Sequence, residues 1–341
     1  MNLDLTQRVL EVNNLKTYFY LNIGTVKAVD GVDFSIDRGK TLGIIGESGC
    51  GKSVTAHTIM RLIQSPPGKI VGGSIKLYYE RDGNIDFVDI AKLDPKGKEI
   101  RSIRGKEIGM VFQEPMTSFS PMYTIGDQII EAILIHENIS KKEARERSIY
   151  LLERVGIPKP ERTIDTYPFQ LSGGMRQRAM IAMALSCHPR LLIADEPTTA
   201  VDVTIQAQIL DLLQEFQEEM GLAIIFITHN LAVIAEIADN IAVMYLGKIV
   251  EYGAKEEIFN NPLHPYTSAL FRSIPKLEGK LERLIPISGN VPSSYEVPEG
   301  CPFHPRCENI ISGICNVNSP ELIDIGNGHK VRCMLYQKVE V

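Results

Sequence analysis

A glycine-rich loop is the segment whose residue types and spacing most directly predict chemistry. Residues 46–53 read Gly-Glu-Ser-Gly-Cys-Gly-Lys-Ser. Glycines at this spacing let the backbone wrap around phosphates, while Lys52 adds a positive charge and Ser53 offers a hydroxyl to Mg²⁺. The loop therefore predicts a site for the phosphates of a nucleotide and for Mg²⁺. Its predicted nucleotide-binding residues are Gly46, Glu47, Ser48, Gly49, Cys50, Gly51, Lys52, Ser53 and Val54.

Two carboxylates follow an apolar run far downstream. Residues 191–194 read Leu-Leu-Ile-Ala, and Asp195 and Glu196 come directly after them. At the end of a buried strand, Asp195 would hold Mg²⁺ and Glu196 would act as general base on the attacking water. An alternative is that both acids cap a helix, because Pro197 follows. The glycine-rich loop upstream favours the catalytic interpretation.

Two further polar residues follow short apolar runs. Gln113 comes after Val111 and Phe112, and its amide could reach Mg²⁺ and the attacking water; a loop glutamine of this kind is otherwise simply solvated. His229 ends another buried run and could contact the γ-phosphate, although a histidine there is often structural. The predicted catalytic residues are Glu196, His229 and Lys52, and the predicted Mg²⁺ ligands are Ser53, Gln113 and Asp195.

Periodic patterns around these residues predict an α/β fold. Apolar alternation and turn residues predict strands at 9–20, 26–37 and 41–45, a hairpin at 74–88, and a helix from 53 to about 64. Residues ~117–171 form a predicted helical insert, in which Ser140 and Glu143 make a capping box and Gly156 closes a helix. Strands and helices then alternate, which favours a mostly parallel sheet, at 191–194, 205–219, 223–228, 232–237 and 241–245.

Composition restricts the classes of partner. The 341 residues carry a net charge of −6, whereas a protein that binds nucleic acid without sequence preference usually has a basic excess. No nucleic-acid partner is therefore expected. No apolar stretch approaches the ~20 residues that span a bilayer, and no signal segment is visible. The chain is expected in the cytosol, with mostly reduced thiols.

A second phosphate-reading segment gives the chain a family resemblance. Residues 171–177 read Leu-Ser-Gly-Gly-Met-Arg-Gln, and together with the loop and the carboxylates they resemble the ATP-binding cassette (ABC) family. The resemblance implies a RecA-like core with an antiparallel β subdomain and a helical insert. Met175 departs from the glutamine found in many members, and Ala200-Val201 replaces the commoner Ala-Leu, but neither change removes a phosphate ligand or carboxylate.

The same resemblance implies a pocket shared between two protomers. Ser172, Gly173, Gly174 and Gln177 would bind the γ-phosphate of ATP held by the opposite subunit, and Asp202 lies in the loop that connects the two sites. An aromatic ring would stack on adenine. Phe19 fits that role, with Tyr18 and Tyr20 as competitors.

The C-terminal residues narrow the resemblance. Residues 1–260 are predicted to form the ATPase domain and residues 261–341 a proline-rich extension. Segments 261–267 (Asn-Pro-Leu-His-Pro-Tyr-Thr) and 300–307 (Gly-Cys-Pro-Phe-His-Pro-Arg-Cys) resemble the extension of oligopeptide/dipeptide permease ATPases. Alternatives are a nickel or glutathione importer ATPase, a non-transport cassette acting on ribosomes or DNA, and a soluble ATP sensor.

A permease ATPase implies several partners. They are a second ABC ATPase subunit, either a paralogue or a self dimer, two transmembrane permease subunits and an extracytoplasmic peptide-binding protein. The chain would then lie on the cytoplasmic face of the cell membrane as a peripheral subunit.

Four cysteines lie close together in the extension. Cys301, Cys307, Cys315 and Cys333 are separated by five, seven and seventeen residues. Dense cytosolic thiols usually bind metal, and four thiolates suit an iron–sulfur cluster or zinc, although zinc sites tend to use tighter cysteine pairs. The family resemblance favours a structural [4Fe–4S] cluster. Zinc and unligated cysteines remain the alternatives.

Overall fold

The computed structural model describes residues 7–81, 84–114, 118–199, 201–273 and 287–337. The strands of these residues, in chain order, are β1 (Arg8–Leu21), β2 (Gly24–Asp37), β3 (Thr41–Ile45), β4 (Gly68–Arg81), β5 (Asn84–Asp89), β6 (Ile108–Val111), β7 (Leu191–Asp195), β8 (Ala223–Ile227), β9 (Asn240–Tyr245), β10 (Lys248–Ala254), β11 (Ile323–Gly326) and β12 (His329–Val331). The helices are α1 (Lys52–Ile59), α2 (Lys98–Ile103), α3 (Ile125–His136), α4 (Lys141–Arg154), α5 (Pro160–Thr163), α6 (Gly173–Leu185), α7 (Val203–Met220), α8 (Leu231–Ile237), α9 (Lys255–Asn260) and α10 (Pro265–Arg272).

The first sheet is antiparallel and has the order β2-β1-β4-β5. Apolar side chains of β1 such as Leu10, Val12 and Leu15 are fully buried, and polar residues lie between them. This pattern suits a sheet with one face on the core. The strands predicted at 9–20 and 26–37 and the hairpin at 74–88 are confirmed; residues 82 and 83 of the hairpin lie outside the described residues.

The second sheet carries the site. Its order is β11-β12-β10-β9-β3-β8-β7-β6, and the five strands from β9 to β6 run parallel. Every residue of β3, β7 and β8 is buried, as expected for parallel strands that are covered on both faces. Their carboxyl ends lie at one edge of the sheet. The glycine-rich loop, Glu196 and His229 are therefore brought to the same edge.

The helical insert is stabilised at its helix ends. The Ser140 hydroxyl accepts a hydrogen bond from Glu143 N at 3.2 Å, and the Glu143 carboxylate accepts one from Ser140 N at 2.8 Å. Gly156 adopts a φ of 73° just after α4 ends. The predicted capping box and glycine stop are both confirmed. Ile129 of α3 and Leu152 of α4 are fully buried in the core of this insert.

One helix ends earlier than the sequence predicts. Helix α1 ends at Ile59, whereas the pattern predicted about residue 64. Arg61 adopts a left-handed φ of 54°, and the N–H of Leu62 donates to His57 O at 2.8 Å. This six-to-one hydrogen bond is a Schellman cap, which closes a helix without a proline or glycine at the turn.

Residues on both sides of the predicted boundary at 261 share one sheet and one core. Strand β12 pairs with β10, and Phe303 packs against Tyr245 and Tyr266 with ring centroids 5.3 and 5.4 Å away. The fully buried carboxylate of Glu251 accepts hydrogen bonds from Leu263 N and His264 N at 2.7 and 2.9 Å. The division into two domains stays a prediction.

Among the described residues, no helix has both the length and the apolar character that a bilayer crossing requires.

Candidate nucleotide-binding site

The glycine-rich loop joins the buried strand β3 to helix α1. At Gly46 φ is 150°, and a Cβ there would lie 2.2 Å from Met244 O. At Gly51 φ is 107°, and a Cβ would lie 2.2 Å from Ala28 O. Both positions therefore require glycine for conformation and for close approach of the backbone. The loop curves back over the strand edge with its first and last glycines pressed against neighbouring backbone.

Lys52 begins helix α1 and is 6% exposed. Its Nζ donates to Gly46 O at 2.7 Å and to Glu47 O at 3.2 Å, so the ammonium lies under the loop. Cys50 is buried beside it, with Sγ 3.8 Å from Nζ, and burial raises the pKa of the Cys50 thiol. A neutral thiol and an ammonium leave the interior of the loop with a net positive charge.

Ser53 and Asp195 meet across the sheet edge. Ser53 Oγ donates to Asp195 Oδ1 at 3.1 Å, and Asp195 is 2% exposed. Burial raises the pKa of Asp195, and the hydrogen bond from Ser53 opposes this effect. A hydroxyl and a carboxylate side by side are hard oxygen donors, which Mg²⁺ prefers together with phosphate oxygens. The donor set therefore fits the predicted Mg²⁺ site.

Glu196 lies at the centre of a hydrogen-bonded group. Its carboxylate accepts from Thr199 Oγ1 at 2.9 Å and Gln113 Nε2 at 3.3 Å, and His229 Nδ1 lies 3.2 Å from Oε1. Burial alone would raise the pKa of Glu196, but the hydrogen bonds from His229 and Thr199 lower it overall. The carboxylate is therefore ionised at neutral pH and can accept a proton. The structure thus brings together Glu196, Gln113 and His229, which the sequence predicted separately.

A cavity of about 310 Å³ lies over the loop. Its lining includes these predicted residues: Phe19, Ser48, Gly49, Gly51, Lys52, Ser53, Val54, Gln113 and Glu196. Of the three candidate aromatics, Phe19 lines the cavity, whereas the Tyr18 hydroxyl donates to Asp30 at 2.6 Å. Tyr20 is half exposed and lies outside the lining. This geometry favours Phe19 among the alternatives.

The second phosphate-reading segment lies outside this cavity. Ser172 caps α6, with Oγ accepting from Met175 N at 3.3 Å, and Gly173 is exposed beside it. Gly174 follows on the first turn and is half-buried. Asp202 caps α7 by accepting from Ile205 N at 2.9 Å. Gln177 is 1% exposed, and its Nε2 has no hydrogen-bond partner among the described residues. The structure therefore does not place Gln177 on the exposed surface with Ser172.

Several residues at this site were not predicted from the sequence. Thr199 donates to Glu196, and Lys27 and Gly247 line the cavity. Ser294 and Val297 of the C-terminal region also line it, and Arg306 forms an ion pair with Glu47. The last three lie more than 200 positions from the loop in sequence. The prolines and the four cysteines of residues 261–341 predicted a separate extension, but not its contact with this site.

The four C-terminal cysteines are close enough for their charges to interact. Burial raises the pKa of Cys301 to about 11 and that of Cys333 to about 12, and the neighbouring thiols add to both shifts. Cys301 N donates to Cys315 O at 2.8 Å, and Ile311 N donates to Cys315 Sγ at 3.4 Å. Within the described ranges, no group of three or more His, Cys, Asp or Glu side chains is arranged to hold a metal. The donor chemistry fits a metal cluster, but the side-chain arrangement does not.

Comparison with known proteins identifies the family. A family model described as ABC transporter matches residues 29–199, and one described as the C-terminal region of oligopeptide/dipeptide transporters matches residues 250–315. The dimeric structure of MJ0796, a bacterial ABC transporter cassette, has a TM-score of 0.63 at 27% identity and covers 72% of this chain and 98% of its own. A post-hydrolysis state of the same cassette, bound to ADP and Pi, has a TM-score of 0.62 at 26% identity and the same coverage.

The fold and the site therefore define an ABC-type ATPase, and the chain belongs to the ABC transporter family. Within it the chain is a member of the oligopeptide and dipeptide transport ATP-binding proteins. The oligopeptide transport ATP-binding protein AppD of Bacillus subtilis (strain 168) is 49% identical over 330 residues, 97% of each chain. The dipeptide transport ATP-binding protein DppD of the same organism is 47% identical over 329 residues, which is 96% of this chain and 95% of the relative.

Proposed function

We propose that the chain hydrolyses ATP to drive the import of di- or oligopeptides across the cytoplasmic membrane. The observation that carries the proposal is the meeting of Ser53, Asp195 and Glu196 over the glycine-rich loop, with Ser53 Oγ 3.1 Å from Asp195 Oδ1. Ser53 and Glu196 line the cavity and Asp195 pairs with Ser53, which supports a site with oxygen donors for a cation beside an ionised carboxylate. The peptide-transport names of the relatives support the cargo class.

The roles of the residues follow from their environment. Lys52 and the backbone of residues 46–51 bind the phosphates, and Phe19, which also lines the cavity, stacks on the base. Ser53, Asp195 and Gln113 would hold Mg²⁺, which supplies charge neutralisation on the phosphate oxygens. Glu196 accepts the proton of the attacking water, and His229 orients the Glu196 carboxylate and faces the γ-phosphate.

A closed pair of protomers completes the site in this proposal. Ser172, Gly173 and Gly174 lie at the start of α6 and outside their own chain's cavity, so they are free to face ATP on a partner. Asp202 caps α7 within the connecting loop. The dimeric structure of the MJ0796 cassette supports such pairing. ATP contacts made only in the closed pair would shift the equilibrium towards closure, and hydrolysis would remove them.

The remaining partners follow from the importer class. We place the chain on the cytoplasmic face of the membrane as a peripheral subunit, beside a second ATPase subunit. Two transmembrane permease subunits and an extracytoplasmic peptide-binding protein complete the complex. The net charge of −6 supports a protein partner over nucleic acid.

Replacing the proposed base tests the function directly. We expect Glu196→Gln to bind ATP with parental affinity and to lose nearly all turnover, because an amide cannot accept the proton. The measurements are ATP affinity, phosphate release and cellular uptake of a labelled tripeptide. Glu218→Gln, on the exposed face of α7, is the matched control and should behave like the parent. Substantial hydrolysis by Glu196→Gln would exclude Glu196 as the base. If Glu196→Gln lost nickel or glutathione uptake but kept peptide uptake, the transported substrate would be nickel or glutathione and not a peptide.

We also propose that Cys301, Cys307, Cys315 and Cys333 hold a [4Fe–4S] cluster that ties down the extension. The hydrogen bond from Cys301 N to Cys315 O at 2.8 Å supports the proximity of two of them, and four thiolates are the usual ligands of such a cluster. The thiols would have to converge further on the metal. Iron and acid-labile sulfide should therefore co-purify under anaerobic conditions with broad visible absorbance. A colourless protein that contains zinc would contradict the cluster and support the alternative.

A further inference from the structure

We propose that Arg306, in the C-terminal region, is a positioning residue for the phosphate-binding loop. It pairs with the carboxylate of Glu47 inside that loop and thereby keeps a negative charge from acting on the phosphates of ATP. This inference rests on the proposed ATP site. It assigns to the C-terminal region a part in nucleotide binding that is separate from any metal it holds.

The ion pair is bidentate and enclosed. Arg306 Nη1 donates to Glu47 Oε2 at 2.7 Å, and Nη2 donates to Oε1 at 3.1 Å. The Arg306 side chain is 3% exposed and that of Glu47 is 25% exposed. Two parallel hydrogen bonds between a guanidinium and a carboxylate fix orientation as well as charge. The pair thus differs from a solvated surface salt bridge, which contributes little.

Arg306 is itself held firmly by the C-terminal region. It ends a short 3₁₀ turn, and its Nε donates to Ser288 O at 3.1 Å. Its guanidinium carbon lies 5.9 Å from the ring centroids of both Tyr245 and Phe303, and Nη1 lies 3.4 Å from the Tyr245 hydroxyl. These contacts set the direction of the guanidinium without help from Glu47. The Arg306 guanidinium is therefore oriented towards Glu47 by contacts within its own region.

The same loop residue is held a second time through its backbone. The N–H of Glu47 donates to the hydroxyl of Tyr266 at 2.9 Å, and Tyr266 is fully buried. Glu47 O in turn accepts from Lys52 Nζ at 3.2 Å. A displacement of Glu47 would therefore also disturb an acceptor of the lysine that faces the phosphates. Residues 266 and 306 together fix the first turn of the loop.

The electrostatic consequence is specific. Without Arg306, the Glu47 carboxylate would lie unpaired in a loop that receives a triphosphate, and like charges at short range repel. The repulsion would grow with the number of phosphates on the ligand. A merely structural role of Arg306 would weaken ATP binding by a similar factor at low and high salt, and removing the Glu47 carboxylate would not restore it. The two roles therefore predict a different salt dependence and a different result for the double variant.

The test compares nucleotide affinities of Arg306→Ala with those of the parent at low and high salt. We expect ATP to bind about tenfold more weakly at low salt, with the loss smaller at high salt and AMP affected less than about twofold. Adding Glu47→Gln to Arg306→Ala should restore most of the affinity for ATP. Arg272→Ala, which breaks the exposed pair of Arg272 with Glu308, is the matched control and should leave binding unchanged.

Each outcome has a definite meaning. A parent protein that does not bind ATP would refute the proposed function itself. If the parent binds ATP, then equal affinity in Arg306→Ala, or no recovery in the double variant, overturns the inference. If Arg306→Ala does not fold, the ATP affinity of Glu47→Gln alone tests the inference. We expect this variant to bind ATP at least as tightly as the parent, because the loop then carries no acidic side chain and the nearby charge of Arg306 is uncompensated. Weaker binding would overturn the proposal.

Discussion

Glu196 has a left-handed backbone conformation, and its carboxylate has three hydrogen-bonding neighbours. Its φ is 49°, a left-handed value that is uncommon for a residue with a Cβ and that tends to occur at functional sites. Its carboxylate oxygens lie within 3.3 Å of donors on Gln113, Thr199 and His229. The backbone turn re-aims the side chain from the end of β7 towards the cavity. The position of the proposed general base thus depends on local backbone geometry and on three neighbours.

The depressed pKa of Glu196 gives stability a pH dependence. A carboxyl group whose pKa is lower in the folded protein stabilises the fold above its unfolded pKa, and this contribution is lost as pH falls through the folded pKa. We expect Thr199→Val to lower the free energy of unfolding by roughly 1 kcal/mol at pH 7, because one hydrogen bond to the carboxylate is removed. The difference from the parent should shrink as pH falls through the folded pKa of Glu196, which lies below the ordinary value for a glutamate.

Urea unfolding of the parent and of Thr199→Val at pH 7 and pH 3.5 measures this difference in the free energy of unfolding. Thr204→Val, at an exposed position on α7, is the control and should show little change at either pH. A Thr199→Val effect of equal size at both pH values would show that the hydroxyl acts through packing and not through the ionised carboxylate.

At the scale of elements, local signals predicted most of the fold. Thr41–Ile45 forms β3 as predicted, and the capping box at Ser140 begins α4. The predicted end of α1, at about residue 64, was wrong because the helix is closed by Arg61 in a left-handed backbone conformation. Arginine is not a residue type that signals the end of a helix in the sequence. The mostly parallel sheet was predicted from alternation. Its antiparallel edge, where β10 pairs with β12, depends on residues about 80 positions apart and has no local signature.

The same distinction holds for the site. The loop, Asp195 and Glu196 were predicted because each follows a buried strand with a recognisable motif. The choice of Phe19 over Tyr18 could not be made from sequence, because all three aromatics lie on one strand and only tertiary contacts separate them. The pairing of Arg306 with Glu47 likewise arises from long-range packing.

At the scale of the whole molecule, the two predicted phosphate-binding segments lie apart in one chain. The cavity over the loop is lined without Ser172 or Gly173, which lie at the exposed start of α6. A pocket completed by a second copy or a paralogue would explain why both halves are intact and yet apart. Activity should then depend on association, whereas ATP binding to one chain should not.

Replacing Ser172 tests this dependence. We expect Ser172→Arg to keep the ATP affinity of the single chain but to lose ATP-induced pairing and to lower turnover at least tenfold, because a long cation enters the proposed seam. Light scattering in the Glu196→Gln background measures pairing, and phosphate release measures turnover. Ser140→Arg is the matched control, because Ser140 also caps a helix through the N–H of the third residue, at 3.2 Å. Unchanged pairing and turnover in Ser172→Arg would contradict the shared pocket.

The ion pair between Glu47 and Arg306 joins positions 259 residues apart, and this has a consequence for biosynthesis. Translation produces the phosphate-binding loop early and Arg306 close to the end of the chain. A ribosome-bound or prematurely terminated chain that stops before Arg306 carries the complete set of cassette motifs and yet lacks the cation that masks the loop's own acid. From the proposed role of Arg306, we expect such fragments to bind ATP more weakly than the full chain, so that full nucleotide affinity arises only when synthesis is nearly finished.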